Sequence, residues 1–344
     1  MTSNSRTRYV QPTINTRFKQ SAVQRLQHLN ASDKKEDSMN QFESTNHKTI
    51  TLAMSCSVLL DLDDEYQDFE KAGYESFYAN QVLNQHQIYK PGALLSFIRS
   101  LSLLNTMAGE CVFRLILITS NCQSTVQRAL NSLEKYAIEL DQIIPLNGES
   151  ASKELLNRDI DLFFTAHLKD AESANTLGIP SIHIPKTSRG ITNDDVLHVA
   201  FDADGVLFDS ESHIHFLMTD LNTFEAYEFA NQALPLTKGP LMQLAKKLSR
   251  LKRSNSMFDQ LIKLSVVSSR SEKAMSRVIS SSRYYKLAFD EFIACDGQNK
   301  GPVLKDIQAH LFLDDELQNV LNAAHHLPSG RVMASNSDFE HYAA

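Results

Sequence analysis

Two aspartates stand one residue apart where an apolar run ends, in VAFDADGVLFD: Asp202 and Asp204. Alternate residues leaving a strand point to the same side. Both carboxylates can therefore face one pocket at the C-terminal edge of a parallel sheet, where open α/β folds bind ligands. Gly205 follows and permits an unusual backbone turn. A carboxylate pair at this spacing can divide the labour of phosphoester chemistry. One attacks phosphorus and forms an acyl phosphate; the other protonates the leaving oxygen and then activates water.

Two carboxylates and a phosphate repel each other, so such a site needs cations. Asp314-Asp315, after the run HLFL, offers hard oxygen ligands for Mg2+. Lys300 supplies a point charge for a transferring phosphoryl group. Ser268, at the end of LSVVS, can donate a hydroxyl hydrogen bond to a phosphoryl oxygen. Arg270, just past it, either reaches a substrate or is an exposed arginine at a helix start. Each piece alone has an ordinary explanation: a solvated acidic turn, a turn serine, a surface lysine, a helix N-cap at Asp314-Asp315. The order is what points to phosphoryl transfer. Asp-x-Asp, Ser and Asp-Asp each follow an apolar strand, and Lys300 opens a short helix.

The elements that must position these residues are legible from Thr49 onward. Strand candidates are ITLAMSCSVLLD, CVFRLILITS, DLFFTA, IPSIHIP, VLHVAFDADGVLF, LIKLSVVSS, AHLFLDD and GRVMAS. Helical stretches lie between them: GALLSFIRSLSLLN, STVQRALNSLEKYA, GPLMQLAKKLSRL and EKAMSRVISSSRYY. This alternation predicts an α/β fold with parallel sheets. Landmarks also recur in order at offsets of about 147 to 149 residues. Lys90-Pro91-Gly92 resembles Lys238-Gly239-Pro240, Thr119 matches Ser268, and Lys153 matches Lys300. LFF at 162–164 matches LFL at 311–313, and IPS at 179–181 matches LPS at 327–329. We expect two tandem Rossmann-like units, residues 49–190 and 191–335, joined around Lys186–Asp195. The same offset sets Met54 opposite Asp202 and Cys56 opposite Asp204, with Thr165 and Ala166 opposite Asp314 and Asp315. The first unit thus reads as catalytically degenerate. It keeps Thr119 and Lys153, a candidate second anion site for a regulatory nucleotide, set against a plain structural remnant. Asp61, Asp63 and Asp64 read as a turn or helix start. Residues 209–233 carry Phe216, Leu217, Leu221, Phe224 and Phe229, which predict a small helical cap over the site.

Composition bounds the rest. The chain has 344 residues and a formal net charge of −7, which argues against nucleic acid as a partner. Four scattered cysteines, with no CxxC pair, read as reduced thiols. A polar start without an apolar run gives no signal peptide, and apolar runs of strand length give no membrane span; a cytoplasmic protein is expected. Residues 1–48 are polar, with eight Lys/Arg against four Asp/Glu. We expect about the first fifteen to be disordered and Phe18–Leu29 to form a short helix. This basic segment either stays solvated or docks on its own body or on a neighbouring copy, which leaves a homo-oligomer open. Residues 336–344 form a tail.

FDADGV, VSSR, NKGP and FLDDE together resemble the four motifs of the haloacid dehalogenase-like (HAD) phosphatases. More narrowly, the chain resembles the cytosolic 5'-nucleotidase type I family, through those strings, the GPL helix start and the LLDLDDEYQDFEKAGYESFYANQ, PGALLSFIRSL and ILITSN regions. The likeness covers about Thr49 to Ser335. It implies HAD-type units and Mg2+-dependent hydrolysis of a nucleoside 5'-monophosphate. It further implies Asp202 as nucleophile, Asp204 as acid/base, and Ser268 and Lys300 as phosphate binders. The metal ligands it implies are Asp202, the Asp204 carbonyl and one of Asp314 or Asp315. The chain departs from the pattern in the order of Ala203 and Gly205, and in Ser268 where Thr is frequent. Two other readings stay open: a phosphatase for a sugar phosphate or other small phosphoester, and a nucleotide-binding regulator that no longer turns over.

Overall fold

Residues 50–55, ITLAMS, are buried along their whole length, as a parallel strand covered on both faces must be. The computed structural model describes residues 49–119, 126–146, 149–156, 158–186 and 196–333. The first half runs β1 (Ile50–Ser55), α1 (Cys56–Leu59), α2 (Asp63–Leu83), α3 (Leu95–Ala108), β2 (Phe113–Thr119), α4 (Gln127–Lys135), β3 (Gln142–Pro145), α5 (Ala151–Leu155), β4 (Leu162–Thr165), α6 (Leu168–Thr176) and β5 (Ser181–His183). The second runs β6 (Leu197–Phe201), α7 (Glu211–Met218), α8 (Leu221–Ala230), α9 (Met242–Ser254), α10 (Ser256–Leu261), β7 (Ile262–Ser268), α11 (Met275–Tyr284), β8 (Glu291–Ala294), α12 (Gly301–Asp306), β9 (Leu311–Asp314), α13 (Leu317–Ala324) and β10 (Ser329–Val332). The expected helix Phe18–Leu29, the joint over 187–195 and the tail over 336–344 lie outside the described residues.

The strands form one mixed sheet in the order β3-β2-β1-β4-β5-β10-β9-β6-β7-β8. Every neighbouring pair is parallel except β5 with β10. Read outward from that antiparallel seam, both halves have the same strand order. A repeated turn supports the correspondence. Gly92 N donates to Leu59 O and Leu94 N to Val58 O, at 2.8 and 2.9 Å. Gly239 N and Leu241 N make the same bonds to Leu207 O and Val206 O, at 2.9 and 3.0 Å.

The halves also share one apolar core. Helix α3 packs on β6, and α9 packs on β1, so each half supplies a helix to the other's central strand. Phe97, Leu101, Leu244 and Leu248 meet Leu52, Phe164, Val199 and Leu313 there, around a residual void of about 20 Å³. Lys247 of α9 reaches across to Asp161, with Nζ 2.6 Å from Oδ1, and Asp161 Oδ2 also accepts from Thr51 N at 2.9 Å.

Several elements differ from expectation or extend it. The strands β3 (QIIP) and β8 (EFIA) were not foreseen; they are four-residue edge strands with only two and three consecutive apolar residues. The acidic start at Asp61–Asp64 opens a helical segment that runs to Leu83 with a break at Gly73 (φ 77), and Asp61 Oδ1 accepts from Asp63 N. The helical pair expected over 209–233 forms as α7 and α8, but of its five apolar residues only Phe224 is buried; Phe216, Leu217, Leu221 and Phe229 are exposed. No described helix is long and apolar enough to cross a membrane. Cys56, Cys111 and Cys295 are free thiols.

One buried histidine ties strand packing to pH. His198 of β6 lies with Nδ1 3.0 Å from Ile307 O and Nε2 2.7 Å from Ser265 Oγ. A carbonyl only accepts, so Nδ1 donates and Nε2 accepts the Ser265 hydroxyl; the ring is neutral. Burial, with the nearby Lys263 charge, holds its pKa down at about 4 against an ordinary 6.5. Above pH 6.5 this group adds no pH dependence. As pH falls from 6.5 towards 4 the unfolded chain gains a proton that the folded chain refuses, so stability falls, by on the order of 3 kcal/mol. Buried carboxyls titrate over the same interval with the opposite sign, so the test is a difference: in denaturant unfolding at pH 7 and pH 4.5, the stability of wild type relative to His198→Gln should be distinctly lower at pH 4.5. An equal change in the variant contradicts the assignment.

Candidate functional site

Strand β6 ends at Phe201, and Asp202 N continues its ladder by donating to Leu313 O at 2.8 Å. The chain then turns tightly: Leu207 N and Phe208 N both donate to Ala203 O, at 3.1 and 2.9 Å. Gly205 makes this turn with φ +71, and a Cβ there would overlap the Asp315 carboxylate. Both the backbone angle and the space therefore require glycine. The turn lifts Asp202 and Asp204 over the strand ends beside the terminus of β9.

Lys300, just ahead of α12, is buried with its Nζ 2.9 Å from Asp202 Oδ1 and 2.8 Å from Asp314 Oδ2. Asp314 Oδ1 faces away, accepting from Glu316 N at 2.8 Å and from Asn319 Nδ2 at 3.4 Å. The Asp315 carbonyl accepts from Arg331 Nε at 3.1 Å. Carboxylate oxygens of Asp202, Asp314 and Asp315 lie within 4.8 Å of one another. Asp202 Oδ1 is buried and meets Lys300 as an ion pair, with no other hydrogen-bond donor on it among the described residues. Crowding shows in the protonation equilibria. Burial pushes Asp202 well above the usual carboxylate range; Lys300 opposes this, and Asp314 and Asp204 add to it. Burial, followed by the Asp314 charge, raises Asp315 to about 7. Lys300 is raised by Asp202 and Asp314 despite its burial. Hard oxygens, an excess of negative charge and a buried Asp202 oxygen met by Lys300 alone fit a divalent hard cation.

Ser268 ends β7, is buried, and accepts from Arg270 N at 3.4 Å. Arg270 corrects one expectation, because it is not an exposed arginine at a helix start. It is buried and grips Asp204 with two bonds, Nε to Oδ2 and Nη2 to Oδ1, both 2.7 Å. Its Nη1 meets Glu228 Oε2 at 2.5 Å and Ala274 O at 3.2 Å. Most of its donors are therefore committed inside the protein.

Glu228 of α8 and Arg277 of α11 were not foreseen. Glu228 is fully buried and pairs with both arginines. The signal was present: Glu228 follows Phe224 by four residues, so the two share one face of α8, and these are its two buried residues. An acid on the buried stripe of a helix needs a cationic partner.

The first half requires two corrections. Met54 pairs with Leu117 and Phe164 as Phe201 pairs with Val266 and Leu313. Since β2 and β7 end at Thr119 and Ser268, and β4 and β9 at Thr165 and Asp314, the counterpart of Asp202 is Ser55, not Met54. A shift of one residue exchanges the faces of a strand, and Met54 is buried in the core. Between this point and the repeated turn the first half is one residue shorter, so Cys56 and Ser57 share the place of Asp204; neither is a carboxylate. Ser55, Ser57 and Thr119 line a cavity of about 380 Å³ with His167 and Lys169 on its wall. Lys153 is not among its lining residues. Its side chain is 67% exposed and paired with Glu149 at 2.7 Å, so Thr119 and Lys153 do not form the expected anion pair.

These features can be set beside known proteins. Human (Homo sapiens) cytosolic 5'-nucleotidase 1B is 27% identical over 286 residues, which is 80% of this chain and 47% of that protein. The chain thus spans about half the length of that curated relative. Histidinol dehydrogenase from Elizabethkingia anophelis, a solved structure, aligns over 96% of this chain and 78% of that chain, at 10% identity and a TM-score of 0.23, a likeness too low to carry any argument. The family model for 5'-nucleotidase matches residues 42–338, a span that takes in both halves of the sheet and every acid at the β6 and β9 ends. On that match, the chain belongs to the 5'-nucleotidase family.

Proposed function

We propose that the chain hydrolyses nucleoside 5'-monophosphates to nucleoside and phosphate through an aspartyl-phosphate, with Mg2+ as cofactor. The observation that carries this reading is the meeting of Asp202, Lys300, Asp314 and Asp315 at two adjacent strand ends, with Lys300 Nζ 2.9 and 2.8 Å from Asp202 and Asp314. Asp202 is the nucleophile: its carboxylate oxygen bonds to phosphorus as the P–O5' bond breaks. Asp204 gives a proton to the departing O5', then takes one from the water that attacks the aspartyl-phosphate and frees Asp202. To donate, a protonated Asp204 oxygen must turn from Arg270 towards the substrate. Lys300 and the Ser268 hydroxyl hold phosphoryl oxygens. Asp202, the Asp204 carbonyl and one of Asp314 or Asp315 hold the metal. Bound there, Mg2+ offsets the charge gathered between phosphate and carboxylates. The units 49–190 and 191–335 are HAD-type, the first catalytically degenerate and serving as scaffold, since hydroxyls stand where the second has acids. The family membership supports the substrate class, and a cytosolic relative supports a cytoplasmic location.

A phosphate-release screen over nucleoside monophosphates and sugar phosphates tests the substrate assignment; a uniform preference for sugar phosphates overturns it. Asp202→Asn should cut turnover by about a thousandfold or more while the fold survives, because an amide is not a nucleophile here. Residual activity above about a tenth of wild type contradicts the role of Asp202. EDTA should abolish phosphate release and Mg2+ should restore it, and undiminished activity in EDTA removes Asp314 and Asp315 from a metal role. Asp204→Asn should cripple nucleoside monophosphate hydrolysis and hurt p-nitrophenyl phosphate less, because that leaving group departs unprotonated. Equal damage to both substrates makes Asp204 structural.

A further inference from the structure

Glu228 stands outside the set of groups that touch phosphate or metal, yet it is 0% exposed and carries a charge. It sits on α8, one of the two helices inserted after the β6 turn. Its Oε2 meets Arg270 Nη1 at 2.5 Å, and its Oε1 accepts from Arg277 Nη1 at 3.1 Å and from the Ser212 hydroxyl at 2.9 Å. Arg277 is fixed in turn by Nε donating to Leu234 O at 3.0 Å. On the far side of Arg270, Nε and Nη2 hold the two Asp204 oxygens at 2.7 Å each. Two carboxylates and two guanidiniums thus close a buried, charge-balanced chain from Arg277 to Asp204.

Geometry gives this chain a direction. A guanidinium is a rigid plane with donors on fixed edges, unlike the rotating ammonium of lysine. One edge of Arg270 binds Asp204 as a two-pronged fork, and the adjacent Nη1 is pinned by Glu228. Rotation of the plane about its own axis would carry the Asp204 carboxylate with it. Without the Glu228 carboxylate, buried Arg270 and Arg277 would both lose the acid that they share, a costly arrangement.

We propose that Glu228 is a positioning residue for Asp204. It acts through Arg270 and makes correct placement of the acid/base depend on α8 being seated over the site. The inference rests on the reading of Asp204 as the group that protonates the leaving oxygen. A merely structural Glu228 would clamp α8 to α11 through Arg277 and leave Asp204 unaffected.

The test compares Glu228→Gln with Arg277→Met, which loosens the same helix but touches neither Arg270 nor Asp204. Glu228→Gln should lower kcat for a nucleoside monophosphate about ten- to a hundredfold, with KM changed less than about threefold, and lower kcat for p-nitrophenyl phosphate by a clearly smaller factor. Arg277→Met should affect both substrates alike. Arg270→Lys keeps the charge and loses the fork, so it should repeat the Glu228→Gln split and stands in if that variant does not fold. Equal losses on both substrates in Glu228→Gln, or in Arg270→Lys standing in for it, overturn the proposal. A second readout needs no turnover: the Arg270 Nε–H resonance in 15N spectra should shift in Glu228→Gln and hold its position in Arg277→Met. An unmoved resonance in Glu228→Gln overturns the proposal even in an active enzyme. Wild-type protein that hydrolyses no phosphoester would instead defeat the proposed function, leaving the resonance to decide whether Glu228 sets Arg270.

Discussion

Three carboxylates crowded at the ends of β6 and β9 around one buried ammonium are the feature on which the rest of the molecule depends. Lys300 bridges Asp202 and Asp314, but one positive charge does not balance Asp202, Asp314 and Asp315 together. The strain is electrostatic, and it bears on stability. Asp315 is raised to about 7, so the folded chain keeps a proton that the unfolded chain releases from its ordinary value of 3.8 upward. Between those two values folding loses stability as pH rises. A cation bound to these oxygens would relieve that loss, and the same deficit of positive charge makes the cluster suited to hold one.

The architecture serves that crowding. A strand end is rigid only when its strand is central, and β6 lies between β7 and β9, with α3 of the first half packed on it. The first half contributes this helix and receives α9 on β1 in return. Through this exchange of helices across the β5–β10 seam the first half, with Ser55 and Thr165 at the matching strand ends, closes the apolar face beneath the acids of the second. The turn at Gly205, made where a side chain would strike Asp315, then brings the two acidic strand ends into contact.

The central strands and the acids on them were legible in the sequence because burial on both faces writes a continuous apolar run, with chemistry at its end. The edge strands β3 and β8 were not, since each is four residues long and partly solvated and leaves only two or three apolar residues in a row. A repeat read at a constant offset placed Met54 opposite Asp202. Strand register moves that place to Ser55, because a single-residue deletion between Ser55 and Val58 is invisible to landmark spacing. Lys153 matched Lys300 by position alone, and nothing in the sequence showed that a neighbouring Glu149 would hold it in solvent. The pairing of Arg270 with Asp204 was hidden for another reason. Its partner Glu228 lies on a helix whose apolar residues read as a lid, while its buried stripe joins Phe224 to an acid.

The direct test of Asp202 as the group that carries the phosphoryl is acid quenching of a single turnover with 32P-labelled nucleoside monophosphate, followed by peptide mapping. The label should appear transiently as an acyl phosphate on the peptide containing Asp202, and should decay as free phosphate accumulates. Turnover that proceeds with no protein-bound label, or with label on any other residue, would contradict the covalent role of Asp202.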